Sequence, residues 1–157
     1  GLADLFVLIF FGFVAVVSSV FVITLSIPIE SWFGGLAAGV LTVNILVVNN
    51  VRDIASDKRA GRKNIPVRYG RRAGETEYLV MQVTAYLVPA VLFFVMGFQP
   101  WALFTYLTLP AAIRDNRNFR KTPDGKQLNL QLAKTGQLLF FYSLSMTAGF
   151  VLARFAG

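Results

Sequence analysis

Asn49-Asn50-Val51-Arg52-Asp53-Ile54-Ala55-Ser56-Asp57-Lys58-Arg59-Ala60-Gly61-Arg62-Lys63 follows directly on an apolar run that begins at Trp32. Two Asn, two Asp and a knot of cations crowd together where the apolar run stops. If residues 32–48 form a helix that continues into this stretch, its rotation of about 100° per residue puts Asn49, Asp53 and Asp57 on one face. The stretch then reads as a helix leaving a membrane with a polar face at its exit. Asp53 and Asp57 are like charges one turn apart, which costs roughly 0.2–0.5 kcal/mol even in water. The positions three and four residues away hold Asn49, Asn50, Ser56, Ala60 and Gly61, so a continuous helix offers its own acids no cation.

An uncompensated pair of hard oxygen donors suggests a ligand. Two carboxylates with an Asn one turn earlier can hold a Mg2+ that keeps several waters and completes its shell with phosphate oxygens. Arg52, Lys58, Arg62 and Lys63 lie close enough in sequence to bind the diphosphate directly. The chemistry suggested is activation of a membrane-borne diphosphate, with Asp53 and Asp57 catalytic and metal-binding and Asn49 supporting metal or phosphate. The plainer alternative is that the loop cations fold back onto the acids as an interfacial salt-bridge cluster. Ionisable groups at membrane depth favour the functional reading.

Composition agrees with a membrane setting: 55% of the 157 residues are hydrophobic and only 15% are charged. Cys and His are both absent. That excludes disulfides, thiolate zinc sites, a cysteine nucleophile and a histidine base, and leaves oxygen ligands for any metal. The net charge of +7 does not imply nucleic acid, because Lys and Arg flank apolar spans and no aromatic platform interleaves with them. The chain opens at Gly1 without an initiator Met, a basic n-region or a cleavage site, so its first apolar run is not read as a signal peptide.

Working outward, five spans are expected, at residues 5–25, 32–48, 78–96, 101–113 and from 128 or 133 to 152. Gly34, Gly35 and Gly39 would let neighbouring helices approach, Pro89 should kink the third span, and Trp32 and Trp101 mark interfaces. The turn Gly97-Phe98-Gln99-Pro100 joins the third and fourth spans, and Gly61, Pro66, Gly70 and Gly74 punctuate the polar segment 58–77. All but one of the 15 Lys and Arg fall in the loops 52–77 and 114–134, Arg154 standing alone on the other side. This asymmetry predicts that both basic loops are cytoplasmic. The expectation is an all-α, polytopic transmembrane helical bundle, one membrane-embedded domain over 1–157, in an integral, multi-pass protein of the bacterial cytoplasmic membrane.

The run from Asn49 to Gly70, with Asn64-Ile65-Pro66-Val67-Arg68-Tyr69-Gly70 closing it, resembles the second aspartate-rich motif of the UbiA superfamily of intramembrane prenyltransferases. Within it, Gly74-Glu75-Thr76-Glu77-Tyr78 and Leu128-Asn129-Leu130-Gln131-Leu132-Ala133-Lys134-Thr135 also look like the branch that prenylates 1,4-dihydroxy-2-naphthoate on the way to menaquinone. The resemblance implies a nine-helix fold around a central cavity, of which the spans here would be the last five. It also implies two aspartate-rich motifs that bind Mg2+ and a polyprenyl diphosphate, and transfer of the isoprenyl chain to an aromatic acceptor with loss of CO2. The first motif, Asn-Asp-x-x-Asp, has no counterpart in this chain. The expectation is therefore a C-terminal portion, or one subunit of a split enzyme, that needs the N-terminal portion in cis or in trans and is inactive alone.

Asn129 and Thr135 read equally as substrate contacts or helix caps. Phe93-Phe94 and Phe140-Phe141 read as lipid-facing or packing residues rather than a channel for the tail, Asp115 with Arg114 and Arg117 as a solvated loop cluster, and Arg68, Arg71 and Arg72 as contacts to anionic lipid. Two rivals stand beside the main reading. One is a UbiA-type enzyme with another acceptor, such as 4-hydroxybenzoate, homogentisate, haem or chlorophyllide. The other is a non-catalytic membrane scaffold that binds lipid phosphates through its basic loops.

Overall fold

A computed structural model describes residues 2–98, 100–123 and 125–156, with no account of the Ala156 side chain. Gln99 of the turn after the third span lies outside the described residues, as does Asp124. Helix α1 is Leu2–Thr24, π-helical over Leu8–Val14, and α2 is Ile29–Arg52. Two short helices follow, α3 at Ile54–Arg59 and α4 at Ile65–Tyr69, before α5 at Arg71–Ala90. A π turn at Val91–Val95 extends α5 just past Pro89, where the ring removes a helical hydrogen bond. A 3-10 helix, Pro100–Thr108, runs into α6 at Leu109–Lys121, and the 3-10 turn Gly125–Gln127 leads into α7 at Leu128–Ala156. No strand occurs among the described residues.

Four helices are long and apolar enough to cross a membrane: Leu2–Thr24, Ile29–Arg52, Arg71–Phe94 and Gly125–Phe155. The expected short span at 101–113 is not among them, yet the rod that contains it runs the length of the bundle. At one end the backbone of Trp101 lies against Gly149, late in α7. At the other the Phe119 ring is 4.8 Å from that of Tyr78, early in α5. The tighter winding explains the reach. At about 2.0 Å per residue a nine-residue 3-10 helix covers about 18 Å, whereas an α-helix of that size covers about 13 Å.

The first turns of α1 and the last turns of α7 lie at opposite ends of the bundle, as five rods running alternately up and down require. Val7 packs into the cluster of Val43, Val47, Val48, Val51, Tyr78, Phe119 and Leu128 beside the polar segment. Phe150, in contrast, stacks edge-on against Phe98 at 5.4 Å, far from it. Apolar side chains such as Phe6, Ile23, Phe94, Leu107 and Phe155 face outward, while Asn44, Gln82, Gln131 and Thr135 are buried. That inversion of the soluble pattern is what a lipid solvent selects.

Close helix packing uses glycine as expected, with one addition from α1. A Cβ on Gly12 would lie 2.6 Å from Gly35 O and 2.9 Å from Gly39 Cα, so α1 and α2 meet backbone to backbone there. Gly34 has only Val16 near it, at 3.9 Å. Gly61 and Gly70 break the polar segment with φ of 70° and 85°. Gly74 does not break it. It lies inside α5, which begins at Arg71 rather than at Tyr78, and its missing Cβ makes room for Val51 and Pro66. The expected loop 114–134 is likewise mostly helix, divided between the end of α6 and the start of α7.

Candidate active site at the end of α2

The polar face that opens at Asn49 is kinked rather than continuous. Asp53 adopts φ −102° and ψ 11°, ending α2 and starting α3. Backbone spacing is nevertheless kept: Asp53 N donates to Asn49 O at 3.0 Å and Asp57 N to Asp53 O at 2.8 Å. Asn49, Asp53 and Asp57 therefore still follow one another by single turns.

Both acids have a cation, contrary to what the helical spacing implied. Arg52 grips Asp53 bidentately, Nε to Oδ1 at 2.9 Å and Nη2 to Oδ2 at 2.7 Å. Arg62 Nη1 donates to Asp57 Oδ1 at 3.1 Å. These partners stand one residue before and five residues after their acids, so a search at three and four residues passes over them. The break at Asp53 and the turn in which Arg62 N donates to Asp57 O bring them into reach. The Arg52 hydrogen bonds, assisted by its charge and that of Arg62 against a smaller effect of burial, hold the Asp53 carboxyl below the usual range.

Asn64 is the residue that the sequence reading left without a role. Its Nδ2 donates to Asp57 Oδ2 at 2.8 Å, while its Oδ1 accepts from Val67 N at 2.9 Å and so caps α4. The signal was present: Asn followed by Ile-Pro is an N-cap with proline in the first turn. With Arg62 on one oxygen and Asn64 on the other, Asp57 is fixed and only 5% exposed.

Asn129 is exposed and does not sit at the cap position of α7. It lies in the first turn of α7 and its Oδ1 accepts from Arg52 Nη1 at 2.9 Å. Thr135 is internal, bonded to Gln131 O at 2.9 Å and to Tyr78 Oη at 3.2 Å. Lys58 and Lys63 are exposed and form no ion pair among the described residues. Arg71 ties the start of α5 to Glu75 at 2.7 Å and to the carbonyls of Phe119 and Thr122 at 2.7 and 2.6 Å. Asp53, Asp57, Arg52, Arg62 and Asn129 are thus brought together, and both basic segments converge at this end.

Other expectations change. Asp115 is 2% exposed on α6, not part of a solvated loop, and Gln131 Nε2 donates to its backbone carbonyl at 3.1 Å. Phe94, Phe140 and Phe141 point outward, as the packing reading had it. A cavity of about 660 Å³ between α1, α2 and α7 lies toward Glu30 and Arg154, at the far end from the acids.

The donor set suits a hard cation in part. Asp53 and Asp57 present carboxylate oxygens one turn apart, and the Asn49 carboxamide makes no hydrogen bond among the described residues. No group of three or more acids that could hold a metal by itself occurs among the described residues. Two carboxylates with phosphate and water completing the shell is the mode that Mg2+ accepts. The residues present fit such an ion in part.

Helices long and apolar enough to cross a membrane, with paired acids and guanidinium groups gathered at one end, define a helical multi-pass membrane protein. The profile of the UbiA prenyltransferase family matches residues 1–144, and the chain belongs to that family. Among curated relatives, it is 31% identical over 147 residues to the 1,4-dihydroxy-2-naphthoate octaprenyltransferase of Mycobacterium tuberculosis, covering 93% of this chain and 49% of that protein. It is 25% identical to the protein of the same name from Bacillus subtilis, over 97% of this chain and 49% of that one. To the UbiA prenyltransferase domain-containing protein 1 homolog of Drosophila melanogaster it is 29% identical, over 92% and 39%. The chain thus spans about half the length (49%) of the bacterial relatives named here. No solved structure matches it.

Proposed function

We propose that this chain forms the C-terminal side of a Mg2+-dependent prenyltransferase that moves an isoprenyl chain from an allylic polyprenyl diphosphate to an aromatic acceptor. The acceptor is 1,4-dihydroxy-2-naphthoate and the product belongs to menaquinone biosynthesis, a reading supported by the names of the bacterial relatives. The observation that carries the proposal is the pairing of each acid with a guanidinium, Arg52 on Asp53 at 2.7 Å and Arg62 on Asp57 at 3.1 Å, at the end where the basic segments meet.

In this reading Asp53 and Asp57, with Asn49, would hold the metal, which would supply Lewis-acid stabilisation of the departing diphosphate. Arg52 and Arg62 pass from the carboxylates to diphosphate oxygens, joined by Lys58 and Lys63, and stabilise the charge that develops on the leaving group. The allylic C–O bond breaks with its electron pair going to the diphosphate. The electron-rich ring carbon bearing the carboxylate captures the carbocation, and CO2 departs, its bonding pair restoring the aromatic ring. The N-terminal portion supplies the remaining ligands in cis or in trans, the chain alone is inactive, and the basic end faces the cytoplasm of a bacterial cell.

The same ion pairs favour a second reading, a structural salt-bridge cluster on a lipid-phosphate-binding scaffold. The test is binding of a fluorescent polyprenyl diphosphate to the complete protein. The enzyme reading expects binding that needs Mg2+ and is lost in Asp53→Ala and Asp57→Ala with the melting temperature kept. Metal-independent binding to any anionic lipid supports the scaffold.

A further inference from the structure

On the flank of α7 away from this site, two adjoining cavities of about 390 and 370 Å³ follow the seam between α6 and α7 and share Lys134. Lys134 is five residues beyond Asn129, a rotation of about 140° round the helix, so it points away from the Arg52 contact. The seam changes character along its length. Leu107, Ala111, Leu138 and Phe141 line its membrane side, and Leu107 and Phe141 are largely exposed, so the groove opens sideways. Arg114, Lys134 and, in the second cavity, Lys121 line the polar side. Asp115 is the only acid lining either cavity among the described residues.

Asp115 is the anomaly. Its side chain is 3% exposed, its Oδ1 accepts no hydrogen bond, and the nearest guanidinium nitrogen, Arg114 Nε at 3.8 Å, is too distant to donate one. A buried carboxyl oxygen with an ion-pair partner at 3.8 Å and no hydrogen-bond donor calls for an explanation. One that lines a cationic groove is completed by a ligand carrying both an anion for the cations and a hydroxyl for the acid. We propose that the α6–α7 groove binds an anionic, hydroxyl-bearing phospholipid of the phosphatidylglycerol type, with its phosphate between Arg114 and Lys134, its glycerol hydroxyl on Asp115 and an acyl chain along Leu107 and Phe141.

The alternatives fit less of the groove. Inorganic phosphate leaves the apolar half empty. A polyprenyl diphosphate has a tail and charge but no hydroxyl for Asp115. Basic clefts between membrane helices at the surface are the setting in which anionic head groups are held. The site has a consequence that rests on the proposed function. α6 anchors Arg71 through the Phe119 carbonyl and α7 anchors Arg52 through Asn129, so a lipid clamped between them steadies both supports of the aspartate segment and raises turnover.

The test uses the full-length protein, purified in detergent and titrated by native mass spectrometry with phosphatidylglycerol, phosphatidylmethanol, which has the same charge and no free hydroxyl, and phosphatidylcholine. Wild type is expected to retain phosphatidylglycerol over both. Arg114→Ala with Lys134→Ala should weaken retention by about tenfold or more, as expected for lost charge-assisted hydrogen bonds. Asp115→Ala should erase only the preference over phosphatidylmethanol. Should a variant fail to fold, the comparison of lipids on wild type still decides. Equal retention of phosphatidylglycerol and phosphatidylmethanol by wild type, or displacement by polyprenyl diphosphate or inorganic phosphate, overturns the proposal. None of these readings needs turnover, so an error about the reaction leaves them intact.

Discussion

Arg52 and Asn129, 77 positions apart, are joined by a 2.9 Å hydrogen bond while the same guanidinium grips both oxygens of Asp53. One side chain thereby fixes the end of α2, the first acid of the motif and the first turn of α7. Only a planar fork with several fixed donors can do this, and Lys lacks it. The contact makes the start of α7 part of the candidate site, although Asn129 lies in a separate stretch of chain.

Asn129→Ala should leave Arg52 with Asp53 alone. Losing one hydrogen bond to a charged group is worth about 1.5 kcal/mol, or roughly tenfold. The full-length variant should show that loss in kcat/KM for polyprenyl diphosphate, with a melting temperature near wild type. An unchanged kcat/KM would mean that Arg52 needs no second anchor.

Asn64 does two jobs that substitutions can separate. Asn64→Asp keeps an N-cap acceptor for Val67 N but removes the donor to Asp57, whereas Asn64→Ala removes both. Both variants should bind Mn2+ more weakly in an electron paramagnetic resonance titration of the full-length protein. Only Asn64→Ala should also lose about 1 kcal/mol of stability from the missing cap. Wild-type metal affinity in Asn64→Asp would show that Asp57 is held by Arg62 alone.

The helical class, the basic end and the acid motif were legible because apolar run length and charge asymmetry report directly on a lipid solvent. The partners of the acids were not. A spacing rule for a straight helix points to Asn49 and Gly61, whereas the break at Asp53 brings in Arg52, and the turn at Gly61 brings in Arg62 and Asn64. Asp115 was misread for a similar reason, since charged neighbours suggested solvent while α7 covers it. The fourth span was expected at 101–113 but read too short, because the charge at Arg114 ends an apolar run without ending the helix, which continues to Lys121.

The α1–α2 contact gives a sharp contrast between glycines. Gly12→Ala puts a methyl 2.6 Å from the Gly35 carbonyl, a backbone atom that cannot step aside, and Gly34→Ala meets only Val16 at 3.9 Å. The first should cost about 1–3 kcal/mol, as overpacking does, and the second close to nothing. Detergent melting curves of the two variants test this, and equal melting temperatures would show that the helices do not meet at Gly12.

The rod from Pro100 to Lys121 has a consequence for how the protein is made. It reaches across the bundle by tight winding, and its own apolarity falls short of what marks the other four helices. An insertion machinery that weighs each emerging segment against lipid has little reason to admit this one alone. Its place depends on partners that arrive before and after it: Gln82 of α5 donating to the Ala112 carbonyl, and α7 closing over Trp101 at Gly149. The order of synthesis then bears on the fold, because the contacts that hold this rod are complete only once α7 has emerged.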